Sequence, residues 1–493
     1  MPETNISVWL VWPVVAPLSL SLAAFVLGGK WNSRLGLLAV AAVVASVCVV
    51  TMTIGRHGPQ QYPLGDWYPP AGIGLYADGL ACAMLLMSAA VGSVVSVYSL
   101  GYFTEDRPPR FWPAWLILWS ALNALFLSAD IFNLYVTLEL LTLAAIGLVV
   151  LAETREAVEA AMRYLLAALA GSLLYLSGVS AMYGAYGTLD IASLSAHAPP
   201  GPPLQAALLL MMLGLMLKTA LFPLHFWLPS AHGSAPAPVS AVLSGLVVNG
   251  SFYILLRLWF DLFPRDLTRP IAMLPATLGA AAIVWGSVQA LTAERLKILV
   301  AYSTVAQLGY LFLIFGLVER DVAAGVVAWS AGILFAVSHA LAKASLFLAA
   351  GTIVRVANHD RIRDLPSVSR QLPMTFFAMG VAGVSLMGLP PTGAFVAKWM
   401  LLQSSVRTGQ TWLASMIILG GLLAAAYLFR VLTAAFVTSH EPQSLPSTGV
   451  PRVMQYSTLV LALASLLLGL AAAPIISLLE IGSPWQVVQG TAP

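Results

Sequence analysis

The sequence predicts an all-α integral membrane protein with about fourteen transmembrane helices. Its 493 residues are 59% hydrophobic and only 9% charged, whereas soluble proteins carry about 25% charged residues. The mean hydropathy is +0.88. Apolar runs of about 20 residues, which suffice to cross a hydrocarbon core of about 30 Å, recur along the whole chain. These observations leave no room for a large soluble domain.

The individual spans are bounded by charged residues or by segments rich in proline and glycine. The first span lacks a basic segment before it and a small-residue cleavage site after it, so we predict a retained helix and not a removable signal peptide. The predicted spans lie near residues 8–28, 35–54, 76–99, 112–129, 131–151, 160–184, 204–230, 238–260, 271–291, 297–318, 322–353, 373–404, 410–437 and 454–478.

The arginines and lysines predict the orientation, because cytoplasmic loops carry an excess of both. With the N-terminus outside, the cytoplasmic side receives Lys30, Arg34, Arg107, Arg110, Arg155, Arg295, Lys297, Arg355, Arg361, Arg363, Arg370 and Arg452. The other side receives Arg56, Arg265, Arg269, Arg320 and Arg407. Both termini are therefore predicted outside the cell membrane. The net charge of +3 follows from this bias and does not indicate nucleic-acid binding.

Four charged residues stand out inside the predicted spans. Three of the five lysines, Lys218, Lys343 and Lys398, are among them, and Glu139 lies in the fifth span. A charge near the bilayer centre costs about 2.5 to 3.5 kcal/mol, so such residues normally face the protein interior or a water-filled cavity. The alternatives are lysines that extend to the headgroups and a glutamate that is only a static counter-charge. We expect these residues to carry an ion.

Three histidines add weaker candidates, namely His225, His232 and His339. Each is equally consistent with a polar residue that is satisfied between helices. No Cys/His cluster has metal-ligand spacing, and no haem pair is convincing. Cys48 and Cys82 both fall in or at apolar spans, so we expect no disulfide framework. No cofactor or metal is predicted.

Prolines interrupt two of the spans. Pro223 removes a backbone donor and should end the seventh helix just after Lys218. The twelfth contains Gly388, Pro390, Pro391 and Gly393. Irregular backbone at membrane depth is tolerated where it is buried in protein or lines a cavity. Two such breaks in corresponding positions of two halves indicate a transport site and an inverted repeat with five helices in each half.

The repeat divides the chain into four segments. We predict an N-terminal three-helix segment at 1–109, a first repeat at 110–260, a second repeat at 261–437, and a C-terminal helix with its tail at 438–493. In the second repeat, His339 and Lys343 are four residues apart and share a helix face. The tenth span offers polar groups that can hold a chain of waters between such carriers: Ser303, Thr304, Gln307 and Tyr310.

The proton affinity of a lysine depends on the charges around it. A Glu139/Lys218 pair is therefore predicted to act as an electrostatic switch.

The motifs resemble those of the antiporter-like membrane subunits of respiratory complex I, membrane-bound hydrogenases and Mrp cation/proton antiporters. The resemblance covers roughly residues 75 to 440. Its carriers are the segment around Glu139, LKTALFPLHFWLPSAH, ERLKILVAYSTVAQLGY, HALAKASLFL and GLPPTGAFVAKW. It implies fourteen helices with interrupted helices seven and twelve, a glutamate/lysine pair, and later histidines and lysines that carry protons.

Two positions depart from this family. Asn249 stands where the family usually has a lysine in the eighth helix, and asparagine cannot take up a proton at neutral pH. Ser230 stands where the family usually has an aspartate. The first change most affects the predicted transfer of protons between the two halves.

Three functions are consistent with the sequence. The first is a proton-conducting subunit of a larger complex, which exchanges protons for Na⁺ or another cation or works in a redox-driven complex. The second is a stand-alone transporter, and the third is a structural subunit that conducts nothing. The predicted partners are other membrane subunits and lipid. No long amphipathic helix follows the last span, which argues against the longest complex I type. No CxxC run, GxGxxG motif or P-loop is present, so redox chemistry would take place in partners.

Overall fold

The computed structural model describes residues 6–70, 72–103, 110–199, 201–319, 321–436 and 449–485. Arg107 and Arg320, two of the arginines that predict the orientation, lie outside the described residues. The expected all-helical membrane architecture is confirmed. Ten helices of this part of the chain are long and apolar enough to cross a membrane, or eleven if one bent pair forms a single span. Three shorter apolar helices join them. The total of fourteen spans stays a prediction.

In chain order, the helices are α1 (Trp12–Leu27), α2 (Trp31–His57), α3 (Gly79–Tyr102), α4 (Phe111–Leu127), α5 (Ile131–Val150), α6 (Arg155–Tyr186), α7 (Ile191–His197), α8 (Pro202–Lys218), α9 (Leu228–Ser234), α10 (Ala237–Val242), α11 (Val248–Arg257), α12 (Arg265–Thr268), α13 (Met273–Thr292), α14 (Leu296–Val318), α15 (Val322–Ala357), α16 (Pro366–Ser369), α17 (Pro373–Met387), α18 (Gly393–Arg407), α19 (Thr411–Phe436), α20 (Arg452–Leu467) and α21 (Ala472–Glu480). Two π-helical turns, Leu243–Val247 and Leu258–Leu262, extend α10 and α11 into one segment, Ala237–Leu262.

Side-chain caps fix where several helices begin. The Asp130 carboxylate accepts from the backbone N–H groups of Phe132 and Asn133 at 2.8 Å at the start of α5. Asp321 does the same for α15. Capping by Asp satisfies backbone donors that have no partner within the helix. These caps set the positions along the helix axis of Glu139 on α5 and of His339 and Lys343 on α15.

Helices end at both proline segments. α8 stops at Lys218, Ala220 follows with a left-handed φ of 59°, and α9 starts further along at Leu228. α17 stops at Met387 with Gly388 at φ 80°, and α18 starts at Gly393 with Thr392 as its cap. The helix ends agree with the prolines of the sequence. That each pair forms one interrupted membrane span stays a prediction, as do the four segment boundaries.

Two features differ from the simplest expectation. The last predicted span is bent by 71° between α20 and α21. A short antiparallel hairpin, β1 (Gln60–Pro63) and β2 (Gly74–Ala77), lies between α2 and α3. Cys48 and Cys82 are both free.

The core of the bundle is formed by the segment Ala237–Leu262 and by α15, each of which contains an 18-residue apolar stretch that is entirely buried. In α14, 89% of the residues in such a stretch are buried. In α1, α2 and α19 the share falls to 28%, 39% and 33%, as expected for helices that face lipid. The helices with the least lipid exposure are the ones that carry Asn249, Ser303, His339 and Lys343.

Candidate ion-translocation site

An ion pair joins Glu139 and Lys218, the two charged residues singled out in the predicted first repeat. Lys218 Nζ lies 2.6 Å from Glu139 Oε1, and the Lys218 side chain is 4% exposed while that of Glu139 is 18% exposed. The ammonium also donates to Thr142 Oγ1 at 3.2 Å. Ser172 Oγ donates to the same Glu139 oxygen. The sequence did not single out Thr142 or Ser172.

Small residues and a tryptophan position Lys218. At Gly171, on α6, a Cβ would lie 2.8 Å from the Gly214 carbonyl oxygen and 3.1 Å from Lys218 Cγ, so only glycine fits there. Trp227 Nε1 donates to the Leu217 carbonyl at 3.0 Å, which satisfies a carbonyl at the end of α8. The lysine therefore occupies the last position of α8, where Gly171 packs against its side chain and Trp227 bonds to the preceding carbonyl.

The first histidine of the break segment, His225, is buried and stacks on Phe222 with ring centroids 5.5 Å apart. Its Nδ1 has no partner among the described residues. Pro223 is exposed. Ser230 Oγ donates to the Trp227 carbonyl at 3.0 Å and thus makes a local helix contact.

His232 and His339 lie near each other, although His232 belongs to the predicted first repeat and His339 to the predicted second. Both are buried, and neither ring has a nitrogen with a hydrogen-bond partner among the described residues. His232 stacks on Phe347 with centroids 5.1 Å apart, and the two histidines are close enough to act on each other electrostatically. Buried polar atoms normally bind protein groups or water. The two imidazoles are therefore suited to contact ordered water.

Lys343 has no exposed surface. Its Nζ donates to the Val300 carbonyl at 3.0 Å and to Ser303 Oγ. Thr304, the next residue on α14, bonds to Ser244 at 2.9 Å between the hydroxyl oxygens. Ser303 and Thr304, two polar groups noted in the sequence, thus contact the lysine and the segment Ala237–Leu262 respectively.

Lys398 lies beneath the end of α17. Its Nζ donates to the carbonyls of Leu386 at 2.9 Å and Met387 at 3.2 Å, and it stands 4.3 Å from the centroid of the Tyr310 ring. A Cβ at Gly388 would lie 2.6 Å from Lys398 Cδ, so the glycine gives the side chain its room. Pro390 and Pro391 are exposed.

Polar side chains lie between Lys343 and Lys398. Tyr427 of α19 lies close enough to interact with Ser303, the hydroxyl that accepts from Lys343. Gln307 Nε2 donates to Tyr427 Oη and to the Leu386 carbonyl, each at 3.4 Å. Leu386 in turn accepts from Lys398. Tyr427 was missed from the sequence, where the only signal was one tyrosine in an apolar span.

Asn249 is buried in the segment Ala237–Leu262. It has no exposed surface, its Nδ2 donates to the Gly245 carbonyl at 2.7 Å, and its Oδ1 has no partner among the described residues. Ser251, two residues along α11, bonds to Thr219 at 3.0 Å, next to Lys218. The segment Ala237–Leu262 therefore contacts the residue beside Lys218 through Ser251 and the residue beside Ser303 through Ser244.

Two further buried cations were not identified as interior residues from the sequence. Arg257 pairs with Asp78 at 2.5 Å and with Asp261 at 2.9 Å, at the end of the bundle that carries the hairpin. Lys297 was predicted to lie in or beside a cytoplasmic loop, at the start of a span, and the structure buries it in the first turn of α14, where the residue is 7% exposed. The burial was not predicted because Lys297 lies at the edge of a charged segment, ERLK, and charged segments are typical of loops.

Comparison with known proteins agrees with this geometry. A family model described as NADH:quinone oxidoreductase/Mrp antiporter, TM, matches residues 128–424. A second, described as NADH-Ubiquinone oxidoreductase (complex I), chain 5 N-terminus, matches residues 69–112.

Curated relatives span nearly the whole chain. The chain is 33% identical to NADH-quinone oxidoreductase subunit N of Desulforudis audaxviator, over 96% of this chain and 98% of that protein. It is 27% identical to a Na(+)/H(+) antiporter subunit of Bacillus subtilis, over 94% of each. The fold matches a chain of the Mrp complex from a Dietzia species with a TM-score of 0.87 and 22% identity, over 99% of both chains. The resemblance seen in the motifs is confirmed, and the chain belongs to the family of NADH:quinone oxidoreductase/Mrp antiporter transmembrane subunits.

Proposed function

We propose that this chain is a proton-translocating subunit of a multisubunit membrane complex, with both termini outside the cell membrane. The observation that carries the proposal is the Glu139/Lys218 pair, 2.6 Å apart at the point where α8 ends. A buried ion pair is weak support for stability, because the cost of removing two charges from water offsets much of their attraction. A role in moving charge explains the pair better.

The pair is suited to act as a switch. The proton affinity of Lys218 depends on its distance from Glu139. Glu139 has a second partner in Ser172, and Lys218 has a second partner in Thr142. Each member therefore keeps a hydrogen bond if the two side chains separate. Separation changes the charge environment of the lysine and so drives proton release or uptake.

From Lys218 the proposed route crosses to the second half through the segment Ala237–Leu262. Thr219 and Ser251 support the first step, and Ser244 with Thr304 supports the last. Asn249 stands between them with an oxygen that has no partner among the described residues. Asparagine cannot carry the proton itself, so its role here is to orient water.

In the second half the route runs from the His232, His339 and Lys343 group to Lys398. The polar side chains of Tyr427 and Gln307, which lie between Lys343 and Lys398, support this route. We place His225 beside the route at the break segment, where its Nδ1 can bind water.

The side of the bundle that carries Glu139 is proposed to contact another membrane subunit. On α5, Val136, Leu140 and Leu143 are between 41% and 56% exposed, and the Glu139 carboxylate between them is 18% exposed. A partly exposed carboxylate is costly against lipid. A protein neighbour on this side would remove that cost.

Two host complexes are candidates. A Na(+)/H(+) antiporter subunit among the relatives supports exchange of protons for a cation. The other candidate is a redox-driven complex. It is supported by the 33% identity to a NADH-quinone oxidoreductase subunit, compared with 27% to the antiporter subunit. In that case electron transfer takes place in partner subunits and the present chain moves protons only.

Lys218→Ala tests the proposal, with the exposed Lys30→Ala as its matched control. The complex is purified through this chain in mild detergent and reconstituted into liposomes, and the proton flux is followed with a pH-sensitive dye. We expect Lys218→Ala to abolish the flux while the complex stays assembled, and Lys30→Ala to leave it unchanged. Full flux in an assembled Lys218→Ala complex would reject the proposed role.

A further inference from the structure

Lys297 is a buried lysine that is not part of the proposed proton route. Its Nζ donates to the carbonyls of Gly233, at 3.3 Å, and Ala235. These two carbonyls lie at the C-terminal end of α9. The neighbouring carboxylate of Asp360 bonds to Arg295 at 2.8 Å and to the Lys297 backbone N–H at 3.1 Å. Among the described residues the ammonium therefore has two carbonyl partners and no ion pair.

One N–H bond of this ammonium remains available. A protonated lysine has three donors, and the two carbonyls account for two of them. A neutral amine retains two N–H groups, which still match the two carbonyls. The side chain can therefore lose and regain a proton without giving up the bonds that hold it.

A cavity of about 280 Å³, lined in part by charged side chains, reaches Lys297 at the end of the bundle that is predicted to face the cytoplasm. Lys297, Arg295, Asp360, Glu153 and the Gly233–Pro236 stretch contribute to its walls. One water needs about 30 Å³ of liquid volume, so this space can hold several. The cavity is a source of water and protons next to a buried ammonium.

On the same short helix, His232 precedes Gly233 and lacks any hydrogen-bond partner for its ring among the described residues. It lies within electrostatic range of both Lys297 and Lys343. His339 lies within range of His232 and Lys343. The group of His232, His339 and Lys343 thus begins one residue away from a carbonyl that holds Lys297.

We propose that Lys297 is the proton-uptake residue of this subunit and transfers protons from the cavity to His232 through water. In each transfer the third N–H bond of Lys297 breaks and its proton passes to a water, which gives one of its own protons to an unprotonated nitrogen of the His232 ring. A hydronium ion that reaches the cavity from the aqueous side then returns a proton to the amine and is left as water. No electron moves and the lysine ends in its starting state. This inference rests on the proposed function and extends it to the point where protons are taken up.

A static role for Lys297 makes a different prediction. Basic side chains near the C-terminus of a helix can satisfy its last carbonyls without any exchange of protons. Arginine can also donate to both carbonyls, but it does not lose its proton in proteins. Lys297→Arg therefore separates the two roles. Lys30→Gln is the matched control, because Lys30 is an exposed lysine that does not line the cavity.

The experiment compares Lys297→Arg, Lys297→Gln, Lys30→Gln and Lys218→Ala in the reconstituted complex, with proton flux and assembly as readouts. We expect both Lys297 variants to lower the flux about a hundredfold or more, in the range that proton-transfer groups contribute, and Lys30→Gln to leave it unchanged. Full flux in Lys297→Arg, with loss in Lys218→Ala, would overturn the uptake role and leave the proposed function standing.

Two other outcomes also decide the matter. Full flux in both Lys297→Arg and Lys218→Ala would overturn the inference together with the proposed function. Failure of both Lys297 variants to assemble would assign the lysine to structure and overturn the uptake role alone.

Discussion

The Lys218 ammonium lies 2.6 Å from the Glu139 carboxylate, although the two residues are 79 positions apart in the chain. One belongs to the last position of α8 and the other to the middle of α5. The contact thus joins a helix end, where backbone groups lack intrahelical partners, to an intact helix. Motion of that end would change the distance between the charges.

Stability measurements should reveal the coupling of the pair. We expect Glu139→Ala to destabilise the protein by about 3 to 5 kcal/mol, because it leaves the Lys218 ammonium buried without its counter-charge. The double variant Glu139→Ala/Lys218→Ala should lose less. Thermal unfolding of the purified complex in detergent measures both. A double variant less stable than Glu139→Ala would show that the pair is not the source of the effect.

Tyr427→Phe should interrupt the link between Lys343 and Lys398. The variant removes the hydroxyl that accepts from Gln307 Nε2 at 3.4 Å and that lies beside Ser303. We expect proton flux to fall at least about tenfold, because the hydroxyl is a polar group that water or a proton can use between the two lysines. Tyr310→Phe is the control, since its hydroxyl bonds to the Ile417 carbonyl and its ring beneath Lys398 remains. Equal flux in the two variants would argue against this link.

Gly388→Ala should displace Lys398. The new Cβ would lie 2.6 Å from Lys398 Cδ and would sit at a φ of 80°, which costs an L-residue about 1 kcal/mol or more. We expect a lower melting temperature and a loss of flux. Gly380→Ala, on the helix that ends at this glycine and with no atom within 4 Å of the added carbon, should keep the flux and raise helix stability. A fully active Gly388→Ala complex would mean that the position of Lys398 is not critical.

Asn249→Lys tests whether the segment between the halves carries protons. A titratable amine beside the Gly245 carbonyl should change the flux, because the residue lies between Ser244 and Ser251 on the crossing segment. Asn249→Met has a similar length without an amine and serves as the control. If the lysine and methionine variants gave the same flux as the parent, a structural role for this helix would be favoured.

Much of the candidate site could be predicted from the sequence, because membrane spans make charges conspicuous. Glu139, Lys218, Lys343 and Lys398 are rare charges in apolar runs, and burial of a charge has few explanations there. The ends of α8 and α17 followed from Pro223 and Gly388 for an equally local reason, since proline restricts the backbone and glycine permits the left-handed turn that ends a helix.

The remainder depends on distances that no local pattern encodes. Tyr427 is 120 positions from Gln307, and one tyrosine in an apolar span is as easily a packing residue. Lys297 stands in a charged segment that is typical of a cytoplasmic loop, and only the packing of α9 against α14 shows that its ammonium is buried. The hairpin between α2 and α3 was also missed, since its strands are only four residues long.

The proton flux of the Lys343→Gln complex shows whether protons pass through the buried lysines of this subunit. Lys343 has no exposed surface and lies between the histidines and the Tyr427 link. Glutamine can still donate a hydrogen bond to the Val300 carbonyl but cannot be protonated at neutral pH. Ser345→Ala, on the same helix, controls for a change in packing. We expect the assembled Lys343→Gln complex to show only the background leak of empty liposomes. Flux equal to that of the parent complex would exclude Lys343 from the proton route.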